Sequence, residues 1–364
     1  MRESQQPRPI LLVGSVPLSS EREVFEMTSR ILGAALHSVP DGETGERKNW
    51  VAWQRPRLAK SAGLVMGEFG AGPYASRQSL CLAAGARPED VRLVPLGYAE
   101  AALASYGTFR QLKAAGTIRS ELLFQVSLPT PIALLSSFDL GIQSTVLPLL
   151  EAELFADVTE ISAAIPHAEL AFQWDVALEF AVLELGLPMP FTDVESNVIQ
   201  QLTRLGERVP DDIELGYHFC YGDSGHKHFK EPVDMALLVK IANALATGST
   251  RPIQWLHMPV PRSRNDDDYF APLDDLRLAP DTLLYLGLVH ATDGLEGTER
   301  RMAAATRHRE RFGIATECGL GRRAPESIEP MLELLRAASN AERYDGARRP
   351  WDGGRVVRKP EGSA

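Results

Sequence analysis

The sequence predicts an α/β protein built as a single (β/α)8 (TIM) barrel with an excursion after its second strand, and three observations support this. Eight short apolar, strand-like runs recur along the 364 residues, most of them ending in Gly, Pro, Ser, Thr or charged residues. Segments of helical periodicity separate them, and alternation of this kind over this length favours a closed parallel barrel over an open doubly wound sheet. Polar residues also gather at or just past the C-terminal ends of the runs: Ser15, Asp41, Glu43, Thr130, Asp175, His218, Cys220, His257, His290, Glu317 and Cys318. In a barrel those positions meet at one mouth, where active sites of this architecture lie.

The runs are Ile10 to Val16, Leu36 to Val39, Leu122 to Leu128, Leu170 to Trp174, Ile213 to Tyr221, Ile253 to Met258, Leu283 to Val289 and Gly313 to Thr316. Between them the i, i+3, i+4 spacing of apolar residues predicts helices over Glu21 to Leu32, Val146 to Ile165, Val194 to Leu205, Pro232 to Ala246, Leu295 to Phe312 and Ser327 to Ser339. Residues 60–117 exceed a simple loop and helix, and are read as the excursion over the mouth, serving as a lid or a homodimer contact. Their Gly67-Glu-Phe-Gly-Ala-Gly-Pro73 does not follow a strand and open a helix, so it reads as a loop and not as a phosphate cradle. The barrel domain is expected over 1–345, and 346–364, rich in Arg, Gly, Pro and Lys, reads as a frayed tail.

Composition narrows the function. With 44% apolar and 24% charged residues the chain is an ordinary globular sequence, and a net charge of -10 argues against a nucleic-acid or anionic-membrane surface. A small-molecule substrate is the expected partner. No apolar run reaches the length of a membrane span and the first residues lack a signal-peptide core, so a cytoplasmic location is expected. Three cysteines make no disulfide framework; thiols or metal ligands are expected instead. Cys81, in Ser79-Leu-Cys-Leu, reads as a helical core residue.

Glu214-Leu-Gly-Tyr-His-Phe-Cys-Tyr-Gly-Asp223 places His218 and Cys220 two apart at the end of an apolar run. In a strand, residues i and i+2 share a face with α-carbons about 6.5 to 7 Å apart. That spacing suits convergence on a zinc ion, whose bonds to imidazole and thiolate are roughly 2.0 to 2.3 Å long. Alone, such a pair also reads as packing. Cys318 closes a further apolar run, Phe312 to Gly321.

The ordered set of short motifs resembles the C-terminal catalytic barrel of cobalamin-independent methionine synthase, within the group that includes uroporphyrinogen decarboxylase. Gly14-Ser-Val-Pro17 is similar to its Gly-Ser-Phe-Pro, Asp41-Gly-Glu-Thr-Gly-Glu-Arg47 to its Gly-Glu turn followed by arginine, and Leu128-Pro-Thr-Pro131 stands in the place of a Thr-Gly-Pro turn. Gln173-Trp-Asp175 resembles its Gln-x-Asp, Tyr217-His-Phe-Cys-Tyr221 its zinc-ligand strand, Val289-His290 the segment of its catalytic histidine, and Glu317-Cys-Gly-Leu-Gly-Arg322 its Asp-Cys-Gly-Leu turn. The resemblance spans roughly residues 8 to 340. It implies zinc on His218, Cys220 and Cys318, a polar substrate pocket lined by Ser15, Glu43 and Asp175, and His290 as general acid. Where the synthase carries a glutamate ligand after its sixth strand this chain reads Trp255-Leu-His-Met-Pro-Val-Pro-Arg262. His257 therefore takes the glutamate's place as fourth ligand, or the fourth position is open. The synthase's N-terminal half has no counterpart here, and both differences separate the expected reaction from methionine synthesis itself.

Zinc with two thiolates and a neutral imidazole carries little net charge, which keeps a bound substrate thiolate electron-rich. A zinc-dependent transfer of a methyl or alkyl group to or from a thiol-type acceptor is therefore the first expectation. A zinc lyase or hydrolase with His290 or Glu317 moving protons is the second, and a metal-free decarboxylase-like or binding protein the third. Tyr221, Asp223 and Arg322 are expected to orient ligands or substrate. His226 and His228 read as outer-layer or solvated loop residues.

Overall fold

The structure, a computed structural model, describes residues 7–69, 78–223 and 227–341. Seven parallel strands form one sheet in the order β1 (Ser38–Pro40), β4 (Leu123–Pro129), β5 (Leu170–Val176), β6 (Glu214–Phe219), β7 (Trp255–Pro259), β8 (Leu283–Val289) and β9 (Gly313–Thr316). β2 (Leu64–Phe69) and β3 (Gln78–Leu82) pair antiparallel as a separate hairpin. Seven of the eight expected runs are thus strands, within a residue or two at most ends.

The first run is the exception. Ile10 makes parallel bridges to Leu36, just before β1, and to Ile314 of β9, so both edges of the sheet curl toward one segment. Among the described residues the segment makes these two bridges and no ladder, and its next carbonyls accept from side chains. Gln125 Nε2 donates to Leu12 O at 3.1 Å, Gln173 Nε2 to Val13 O at 2.5 Å and Ser127 Oγ to Val13 O at 3.2 Å. Instead of eight full strands, the molecule has a curled seven-stranded parallel sheet and a bridged segment, an architecture compatible with a TIM-barrel-like fold.

Successive residues of each strand face opposite sides. Phe172, Trp174 and Val176 of β5, Leu215, Tyr217 and Phe219 of β6, and Leu256 and Met258 of β7 belong to the large core shared with the helices. Each of the six segments of helical periodicity holds a helix, at Glu21–Leu32, Gln143–Ala164, Val194–Glu207, Ala236–Gly248, Gly294–Thr306 and Ile328–Ala341, the fifth ending before the expected Phe312; Tyr98–Ala114, inside the excursion, and Leu178–Leu185 are further helices that the periodicity did not give. The opposite face carries a smaller cluster of Leu11, Leu123, Ala171, Trp255, Leu283, Tyr285 and Ala315. Trp255 fills the space left by a missing side chain: a Cβ on Gly216 would lie 1.9 Å from its Cε2. Every residue of β5 is buried, as expected of a parallel strand covered on both faces.

Within the excursion, Cys81 lies on β3 opposite Val65 and is half-buried, which corrects the helical reading. The pattern Ser-Leu-Cys-Leu is short enough to fit either period, and hairpin pairing decides it. The hairpin is anchored to the segment after β4, Leu80 N donating to Ser137 O at 2.8 Å and Asp139 N to Leu80 O at 2.9 Å. Residues 70–73 of the glycine-rich stretch, His226 and the expected tail lie outside the described residues. Among those described, no helix is long and apolar enough to cross a membrane.

Candidate metal and substrate site

The site occupies the inward face at the C-terminal ends of the strands, and register brings its members level. Asp175 of β5 pairs with His218 of β6, and His218 pairs with His257 of β7. The i, i+2 relation carries Cys220 to the same face as His218, and Cys318 arrives from the turn after β9. One ligand atom from each of His218, Cys220 and Cys318 lies within 4.8 Å of the others.

The two sulfurs are 3.4 Å apart and both cysteines are free thiols. A disulfide would need about 2.05 Å, whereas two thiolates on one tetrahedral zinc, each about 2.3 Å from it, sit roughly 3.8 Å apart. The pair is therefore spaced much nearer to shared coordination than to a bond. Its electrostatics agree: the neighbouring Cys318 thiol, His218 and the Gly222 N–H, 3.2 Å away, hold Cys220 well below the ordinary thiol range. Cys318 is pushed well above it by the same sharing and by burial. Burial opposes charge on His218, but Cys220 and Asp175 outweigh it and raise its pKa. These residues fit zinc by donor type, convergence and an already acidified thiol.

His257 is fully buried beside His218, with both ring nitrogens engaged: Nδ1 lies 2.7 Å from His218 Nδ1 and Nε2 lies 3.0 Å from Thr316 O. Burial and the adjacent His218 hold its pKa well below the ordinary value.

A carboxylate-rich region adjoins the sulfur site. Ser15 Oγ donates to Glu43 Oε2, and Glu43 sits at φ 49°, in the left-handed region, with its N–H held by Asp41 Oδ1 at 2.8 Å. Asp41 is itself bound by Arg47 at 2.7 Å and Ser105 at 2.8 Å. Burial, then the charge of Asp175, raise the Glu43 pKa to about 8. Burial raises Asp175 to about 6 against the opposing pull of His218 and of hydrogen bonds from Gln173 and Trp50. Two electrostatically coupled carboxyls with raised pKa values form a site that a cation would relieve.

On the other side, His290 Nε2 donates to Val260 O at 2.9 Å and its Nδ1 faces Glu317 Oε1 at 3.6 Å. Burial lowers the His290 pKa. Glu317 Oε2 also lies 3.2 Å from His228 Nε2, whose other nitrogen is 3.2 Å from Glu231. Burial works against charge on His228, but Glu317 prevails and raises its pKa to about 9. Glu317 is therefore a carboxylate between two imidazoles. Of the two readings given for His228, outer-layer or solvated, the structure shows the first: the loop after β6 folds back and sets its ring against Glu317. Gln125 and Ser127 were unanticipated, although polar residues at i, i+2 inside an apolar run marked them.

Tyr221 is oriented differently from the others. Its hydroxyl donates to Glu184 at 3.0 Å, Lys230 pairs with the same carboxylate, and its ring packs on Phe180 and Phe229. Asp223 and Arg322 approach to 3.7 Å near Cys318.

A TIM-barrel-like α/β protein with a histidine and two cysteines converging at the C-terminal ends of its strands is the class that fold and site define. No family model and no curated protein matches the chain. Among solved structures, the chain is similar to a protein from Listeria monocytogenes provisionally described as a vitamin-B12-independent methionine synthase, with 14% identity, a TM-score of 0.55, and coverage of 93% of this chain and 99% of that one. It is also similar to a B12-independent methionine synthase from Shewanella sp. W3-18-1, solved with selenomethionine, with 14% identity, a TM-score of 0.54, and coverage of 93% and 95%. At this identity the likeness is one of fold.

Proposed function

We propose that the protein is a zinc-dependent transferase that moves a methyl or alkyl group to or from the sulfur of an amine-bearing thiol. The observation that carries this reading is the convergence of His218, Cys220 and Cys318 within 4.8 Å, next to the coupled carboxyls Glu43 and Asp175. His218, Cys220 and Cys318 would hold the zinc, which when bound supplies the acidity that keeps a substrate thiol ionised at neutral pH.

The chain's own groups divide the remaining work. Glu43 and Asp175 receive the substrate's ammonium, whose charge offsets their mutual repulsion, while Ser15 and Gln173 fix their orientation through the hydrogen bonds described. His290, with Nε2–H committed to Val260 O, has Nδ1 left to take up or release a proton, and Glu317 beside it stabilises the imidazolium. The small-molecule partner, the homodimer or lid role of the hairpin, closure of the barrel through the Ile10 segment and a cytoplasmic setting belong to the same proposal. The fold neighbours described as methionine synthases support methyl transfer over the lyase or hydrolase alternative.

The test is metal analysis followed by turnover. Purified protein should contain about one zinc per chain, and Cys220→Ser and Cys318→Ser should lose it; full zinc in both variants rejects the site. The zinc-loaded protein should then alkylate an aminothiol only when a donor is supplied. Cleavage of a substrate with no acceptor present would reject transfer in favour of lyase or hydrolase chemistry.

A further inference from the structure

We infer that His257 is a positioning residue of the metal centre and not one of its ligands: it fixes the ring of His218 through an imidazole-to-imidazole hydrogen bond. This rests on the zinc reading above but concerns a residue that the sulfur and imidazole convergence does not include. His257 is fully buried and level with His218 on the adjacent strand. Two main-chain carbonyls, Thr316 O and Phe219 O, bear on the ring; because a carbonyl accepts only from N–H, we assign the proton to Nε2, which lies 3.0 Å from Thr316 O. Its Nδ1 lone pair must then accept, so the 2.7 Å contact is donated by His218 Nδ1–H. With Nδ1 protonated, His218 has its Nε2 lone pair left for a metal. His257 has no lone pair to spare, since one nitrogen carries the proton given to Thr316 and the other receives the proton of His218.

The arrangement also ties the two halves of the site together. Thr316 Oγ1 donates to Cys318 O at 2.7 Å, so the chain of contacts runs from His218 through His257 to Thr316 and the backbone of Cys318. Outer partners of this kind fix the tautomer and rotation of a ligating histidine, and their loss typically weakens metal binding about 10- to 100-fold.

The experiment measures zinc affinity by chelator competition for wild type, His257→Leu and His257→Asn, with X-ray absorption on the wild-type zinc protein. Asn places an amide oxygen near the former Nδ1, and can accept from His218; Leu cannot. The expected result is one imidazole and two sulfurs around zinc in wild type, affinity lowered about 10- to 100-fold in the Leu variant at unchanged stoichiometry, and affinity near wild type in the Asn variant. Two imidazole ligands in wild type, or unchanged affinity in a folded Leu variant, overturns the inference. Should the Leu variant not fold, the wild-type absorption and the Asn variant decide: a second imidazole, or abolished binding by Asn, counts against it. Wild type that binds no zinc would reject the metal reading itself, whereas wild type that binds zinc through two imidazoles rejects only this role.

Discussion

At the scale of single residues the chemistry is set by protons held where solution values would not hold them. Glu43 has a folded pKa of about 8 against an ordinary 4.5, so the native protein retains a proton that the unfolded chain releases. Stability from that proton is complete below about pH 4.5 and lost as pH rises through 8. Glu43→Gln, which mimics the protonated carboxyl, should melt close to wild type at pH 4.5 and progressively above it toward pH 9; a gap that does not grow with pH would show an ordinary carboxylate. If zinc and His290 act as proposed, His290→Gln should bind zinc like wild type and lose turnover by roughly two to four orders of magnitude, since it removes the proposed proton carrier and no proposed ligand; loss of metal in that variant would contradict the division of roles. The inward pairing of His218 with Cys220 was legible from their spacing alone. The partners of Tyr221 and His228 were not, because a loop's sequence does not say which way it folds back. The hydroxyl of Tyr221 found Glu184, and His228 found Glu317.

At the scale of elements, strands that are buried on both faces hide their alternation. β5 reads as a continuous apolar run, and only Gln173 and Asp175, two apart, betray the inward face. Six helices were legible where a one-sided apolar stripe survives in the sequence, but the alanine-rich Tyr98–Ala114 and the almost wholly apolar Leu178–Leu185 carry no such stripe and were not. The first strand was misread as a full ladder member because nothing in Ile10 to Val16 shows that glutamine side chains from β4 and β5 will take its carbonyls. β6 and β7 offer a direct test of the packing that carries the site. Gly216→Ala places a Cβ 1.9 Å from the Trp255 ring, so the indole or the strand must move, at a cost of about 1 to 3 kcal/mol or more. A lowered melting temperature with weakened zinc binding is expected, since the displaced strand carries His218 two residues further on. A melting temperature equal to wild type would mean that the sheet interior has slack there.

At the scale of the whole molecule, residues distant in sequence are fastened to one another. Arg8 N donates to Ser339 O at 2.9 Å, Ser339 Oγ donates to Arg8 O at 2.6 Å, and Arg8 Nη1 reaches Phe312 O at 3.0 Å. Thermal or denaturant unfolding is expected to be a single transition, with fluorescence and circular dichroism midpoints coinciding; two separate transitions would divide the chain into independent units. The same fastening orders events in time. Leu320 N donates to Ser15 O at 2.7 Å, so the loop bearing Ser15 is pinned by residues that a ribosome adds some three hundred positions later. A nascent chain halted before Cys318 would have the strands of its sheet and every described helix of eight residues or more except the last, Ile328–Ala341, but neither a complete sulfur pair nor a settled Ser15. On the proposed zinc reading, metal capture would therefore be among the last steps of biogenesis, and a cell would meet this protein first as a metal-free chain with its Cys220 thiol still without Cys318 beside it.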